Sequence, residues 1–169
     1  MSPRVDLVSV LTGVVVLALG CSVWFGFQAH ALTSGDPTAN AALVDTATTG
    51  EVTDQVGAAV KAVFSYDYSD LARTERAAAD VLVDSAATTY HASLAAAEKQ
   101  STSEKLVRTT TIRSIGVREL SGDQATVLLF LDQQTLHTVG NQHDSTGAQL
   151  LVTAKRVDGR WKLATLIPL

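Results

Sequence analysis

The chain has 169 residues, with 13 Lys and Arg against 17 Asp and Glu and a net charge of −4 at neutral pH. That balance argues against nucleic acid as a partner, because no basic patch is present to neutralise a row of phosphates. The single cysteine is Cys21, so a domain formed by the later residues has no internal disulfide and must be held by packing.

Residues 1–6 form a short tail before an uncharged run, Leu7 to Ala29. At 1.5 Å per residue the run makes a helix of about 34 Å, enough to cross a hydrocarbon core of roughly 30 Å. Leu7 and Val16 belong to its apolar body. Trp24 and Phe25 lie near its C-terminal end, where aromatic rings favour the membrane–water interface. Arg4 is the only Lys or Arg before the run and Lys61 the first after it. This bias predicts a cytoplasmic N-terminus and an extracytoplasmic remainder. Ala29-His30-Ala31 also fits a signal-peptidase site, but the apolar run exceeds the roughly 7–15 residues of a removable signal. Leu17-Ala18-Leu19-Gly20-Cys21 matches a lipoprotein processing box only in part, with Ala18 where a leucine belongs. A retained single-pass anchor over 7–29 fits best.

Residues 30–50 read as a linker, with a turn at Asp36-Pro37 and a short helical extension over Asn40 to Val44. From Glu51 the spacing of Val52, Val56, Ala59, Val60 and Val63 predicts an amphipathic helix, with Thr48 and Glu51 as a capping box. It ends near Phe64. A second helix is expected from Asp70 to Val83. A third starts at Asp84 or Ser85, presents Ala86, Tyr90, Leu94 and Ala97, and frays near Gln100 before a Ser101–Ser103 loop.

The apolar period then falls from about four to two. Strands are expected over Leu106–Leu120, Gln124–Val139, Ala148–Val157 and Arg160–Ile167, with residues 140–147 as a polar loop. Residues 125–131 (ATVLLFL) are apolar on both faces, as in a central strand. Asp158-Gly159 between two strands is a type I′ hairpin signal. Helices followed by a meander give an α+β class. The expected exported domain, residues 51–169, has about three helices on a curved four-stranded antiparallel sheet.

This order of elements resembles the nuclear-transport-factor-2-like (NTF2-like) cone fold. More narrowly, the chain resembles the mammalian-cell-entry (Mce) associated membrane proteins of actinobacterial envelopes. The residues that carry the likeness are the N-terminal span, Phe64-Ser65-Tyr66-Asp67-Tyr68, Thr89-Tyr90, and Val157-Asp158-Gly159-Arg160-Trp161-Lys162-Leu163. The resemblance implies a single-span accessory subunit in the cell membrane that stabilises or assembles an Mce-type lipid or sterol import complex. Its implied partners are the bilayer, Mce proteins and their permease, without a cofactor or a catalytic step.

Residue-level chemistry agrees with a non-catalytic role. The 4 histidines form no metal-binding spacing such as H-E-x-x-H. His137 and His143, with Asp132 and Asp144 nearby, are the best loop metal candidates, although solvated loop histidines are commoner. No G-x-S-x-G elbow occurs, and Cys21 in the anchor removes thiol catalysis. Tyr66, Asp67, Tyr90 and Trp161 are candidates to line a pocket, since cone-fold isomerases use a carboxylate and a tyrosine among apolar walls. The plainer reading has Asp67 capping the next helix and the tyrosines packed under the sheet. Leu128 and Phe130, on the outward face of the doubly apolar strand, are the candidate face for a homo- or hetero-oligomer. Two alternatives remain beside the accessory subunit. One is an anchored carrier holding a lipid in the cone, and the other is an assembly factor of another envelope machine, such as type IV secretion.

Overall fold

The computed structural model describes residues 40–169, apart from the side chains of residues 93–97. The expected anchor over 7–29, with Leu7, Val16, Trp24 and Phe25, lies outside the described residues, as do the side chains of Leu94 and Ala97. No described helix is long and apolar enough to cross a membrane. The elements run α1 (Thr46–Phe64), β1 (Tyr66–Asp67), α2 (Leu71–Val81), α3 (Asp84–Glu104), β2 (Leu106–Ser121), β3 (Gln124–His137), β4 (Gln142–Val157) and β5 (Arg160–Pro168). The strands form one antiparallel sheet in the order β1-β2-β3-β4-β5. This is the expected α+β cone, with one more strand than the sequence pattern gave. The extra strand is β1, too short for any periodicity to reveal.

Helix α1 buries the anticipated stripe of Val52, Val56, Ala59, Val60 and Val63, each fully buried Val contributing about 1.5–3 kcal/mol. Gly57 lets α1 approach β2 closely, because a Cβ there would meet Ile112 Cδ1 at 3.2 Å. The helix starts earlier than Glu51. Its N-cap is Asp45, whose carboxylate accepts from Thr48 N (2.9 Å) and Thr48 Oγ1 (2.7 Å). The Thr48–Glu51 capping box therefore does not form, and Glu51 is spent elsewhere. Residues 42–44 make a turn rather than a helical extension. Asn40 fastens the chain's entry to the end of β2: its Oδ1 accepts from Leu120 N at 3.0 Å, and its Nδ2 donates to Arg118 O at 2.9 Å.

Asp70 caps α2 through Arg73 N. At α3 the N-cap position falls on Val83, with no side-chain cap. Asp84 instead pairs with Lys155 at 2.6 Å, and the Ser85 hydroxyl donates to Ala164 O at 3.1 Å, so both expected caps serve tertiary contacts. The helix does not fray at Gln100; it continues to Glu104 and stops at Lys105 in the left-handed region, φ 50°. Buried Ser101 continues the helix and donates its hydroxyl to Leu106 O at 3.3 Å.

The hairpins carry the residues their turns demand. Asp158 (φ 52°) and Gly159 (φ 75°) both have positive φ, as a type I′ turn requires. β4 begins at Gln142, so most of the expected 140–147 loop is strand, extending the ladder to His137↔Gln142. Its polarity comes from exposure, since residues 142–147 are all solvent-facing. Register shifts between Ile112 and Ser114 and between Val117 and Glu119 mark bulges in β2, which increase local bending and twist. The helix-facing side of the sheet holds Leu120, Val127, Leu129, Leu131, Leu150, Val152 and Leu163, all buried in one cluster with α1.

Candidate functional site

The pleat sends alternate residues of β3 to opposite faces. Val127, Leu129 and Leu131 face the helices and are buried, whereas Leu128 is half-buried and Phe130 is 38% exposed. Register aligns Gly116, Leu128, Leu151 and Ile167 across β2 to β5, with Ile167 45% exposed. Next to that row, Ser114, Phe130 and Gln149 pair in the same way. The two expected surface residues thus lie on an outer apolar strip that no described element covers. An Arg113–Asp132 pair at 3.8 Å lies beside it.

Of the four candidate pocket residues, three line two adjoining grooves beside α1. Tyr66 and Asp67 line a groove of about 710 Å³ between α1, β1 and the start of α2. Trp161 lines an adjoining groove of about 450 Å³ with Gln55, Asp80 and Lys162. Tyr90, on α3, lines neither of these grooves. Asp67 is exposed and accepts from Ser69 N (2.8 Å) and Ser69 Oγ (2.7 Å), and these bonds hold its carboxyl below the usual range. It fixes its own turn, while Asp70 caps the next helix.

Tyr90 is half-buried and packs edge-on to His91, with centroids 5.9 Å apart. Burial, then the charges of Glu98 and Glu75, hold its hydroxyl above the usual range. Trp161 is only 3% exposed. Its backbone N–H donates to Gln55 Oε1 at 2.8 Å, and the Arg156 guanidinium stands 5.6 Å from the ring centroid. The indole Nε1–H is buried with no acceptor among the described residues.

The histidine cluster expected in a loop falls in paired strands. His137 Nε2 lies 2.8 Å from Asp144 Oδ2, and Nδ1 lies 3.9 Å from Glu104 Oε2. His143 sits one register position away, opposite Leu136. Among the described residues no three His, Cys, Asp or Glu side chains gather as a metal-binding group.

Sequence reasoning missed Lys61, Arg73 and Arg108, which come from three different elements to the groove beside Tyr66. Arg108 stacks over Tyr66, 5.1 Å from the ring centroid, and its Nε donates to Thr135 Oγ1 at 3.1 Å. The stacking follows from the Tyr66↔Arg108 register, for which a two-residue strand leaves no signal.

No protein-family model matches this chain, and no curated protein matches it in sequence. Solved structures do share its architecture. A periplasmic fragment of TraM is similar over 71% of this chain and 96% of that one, with TM-score 0.61 and 13% identity. The periplasmic domain of DotI gives TM-score 0.61 and 12% identity over 70% of this chain and 92% of that one. An IcmL-like type IV secretion system protein from Legionella pneumophila gives TM-score 0.61 and 8% identity over 71% and 92%. What this chain shares with those domains is the fold, helices packed on a curled antiparallel sheet.

Proposed function

We propose that the chain is a membrane-anchored, extracytoplasmic assembly module of a cell-envelope machine, docking partners through the outer face of its sheet and catalysing no reaction. The observation that carries this reading is the company of the fold. The periplasmic parts of TraM and DotI, and the IcmL-like protein, are reproduced over nearly their whole lengths. The uncharged run Leu7–Ala29 supplies the anchor, which raises the domain's local concentration at the membrane. The strip of Leu128, Phe130 and Ile167 supplies apolar area for a partner. None of the three neighbours is an Mce accessory protein, so the envelope-machine reading is preferred to lipid import.

The test is gentle detergent extraction from native membranes by a C-terminal tag, followed by identification of what accompanies the chain. Recovery of a multi-component secretion or transfer complex supports the proposal. A permease with its ATPase and Mce proteins would move the protein to lipid import. A solitary chain carrying lipid would replace the assembly role with a carrier. A soluble product beginning at Leu32 would remove the anchor.

A further inference from the structure

We propose that the groove between α1, β1 and the first turn of α2 binds an acidic peptide segment of a partner, its carboxylates held by Lys61, Arg73 and Arg108. This inference rests on the assembly reading and adds a second docking surface, distinct from the outer sheet. The three cations come from a helix end, a helix start and a strand, yet line one space of about 710 Å³. Arg156, Lys155 and Arg113 are tied to Glu51, Asp84 and Asp132, whereas these three, like several other surface cations, form no ion pair among the described residues and so keep their charge available to a ligand.

The carboxylates that share the groove are already engaged. Asp67 is taken by Ser69, and Asp70 accepts from Arg73 N at 3.2 Å as the cap of α2. Arg73 stands in the first turn of α2, where the helix dipole disfavours a cation and the capping Asp70 is the one carboxylate at that end. A bound carboxylate relieves that cost. Arg108 is held in place by Tyr66 and Thr135, so little side-chain freedom remains to be lost on binding.

The floor decides for a peptide over a lone anion. Ala58, Ala62 and Ala77 line this groove and also the adjoining one beside Trp161, giving a shallow small-residue track. Such a track admits a backbone and short apolar side chains between the charged contacts. A chain of net charge −4 is a poor general trap for acidic peptides, so binding must be local to this cluster.

The experiment titrates the full chain in detergent micelles with a fluorescein-labelled synthetic peptide of alternating glutamate and leucine. Saturable binding is expected, weakened about tenfold by Lys61→Gln with Arg73→Gln, since each solvent-exposed charge contact is worth about threefold. Arg113→Gln, outside the groove, changes affinity by less than about twofold. The inference is overturned by absence of saturable binding, by equal loss in Arg113→Gln, or by equal affinity for the peptide with lysine replacing glutamate. Competition by inorganic phosphate at the same concentration as the peptide would overturn the peptide occupant. In co-purification, a double variant that keeps its envelope partners sinks the groove and leaves the assembly reading standing. If the unaltered chain recovers no partner, the assembly reading falls while the titration still decides the groove.

Discussion

Arg156 of β4 reaches across the sheet to Glu51 of α1, its Nη2 lying 3.0 Å from Oε1 and 2.8 Å from Oε2. The two side chains are about one-third exposed, 35% and 33%. The pair clamps the start of α1 onto the β4–β5 hairpin and lays the guanidinium over the Trp161 ring. Partial solvation limits its worth. A double-mutant cycle of Glu51→Ala and Arg156→Ala is expected to give a coupling of about 0.5–1 kcal/mol by chemical denaturation. The Arg156 single variant should cost more than the Glu51 one, because it also uncovers the indole. Equal costs would mean that the stacking contributes nothing.

Trp161 is the largest side chain in the contact between α1 and the last hairpin. Replacement by Ala leaves a cavity under α1 and is expected to cost about 3–5 kcal/mol. Trp161→Phe should cost much less, because it also removes the buried Nε1–H, which has no acceptor among the described residues. Thermal unfolding of both variants is the measurement. A near-neutral Ala variant would mean that the hairpin is peripheral to the core.

Which parts were legible in the sequence follows from where each signal resides. The stripe from Val52 to Val63 and the alternation around Val127 to Leu131 are periodic, so element type and the buried face could be read directly. The Asp158-Gly159 turn is legible because few residues tolerate positive φ at both positions. The start of α1 was not: Thr46, Thr48, Thr49 and Gly50 are weak helix formers, and the helix begins there because Asp45 caps it and Asn40 docks the preceding chain on β2. The strand at Gln142–Gly147 hid because exposed polar strand and polar loop have the same composition. Tyr66 and Trp161 sit at different parts of the α1 seam, and only the register of β1 on β2 discloses that Arg108 joins Tyr66.

Glu98 on α3 faces Glu75 on α2. Partial burial first, then the Glu75 charge and a hydrogen bond to Glu75, hold the Glu98 carboxyl above its ordinary value of 4.5. A carboxyl that is a weaker acid in the folded chain favours folding while protonated. Its favourable contribution is complete below 4.5 and is lost as pH rises through the folded value. Glu98→Gln therefore raises the melting temperature at neutral pH and leaves it unchanged below that window. The effect is small, because solvent screens the pair. A gain of equal size at all pH values would mean that the substitution acts through packing or helix propensity instead.

Phe130 and Leu128 test the outer face. Both stand opposite the core on β3, and Leu129 between them is fully buried. Phe130→Glu is expected to change folding stability by less than about 1 kcal/mol, as at other exposed positions. It should nevertheless reduce the complex recovered from membranes, because a charge is desolvated wherever a partner covers the strip. Leu128→Glu, at a half-buried position, should lose somewhat more stability and show the same loss of partners. Leu129→Glu places a charge in the core and should prevent folding altogether. Thermal melts combined with co-purification separate these outcomes. If Phe130→Glu melts as badly as Leu129→Glu, the outer strip belongs to the core. If it melts normally and keeps every partner, the sheet face is not where they bind.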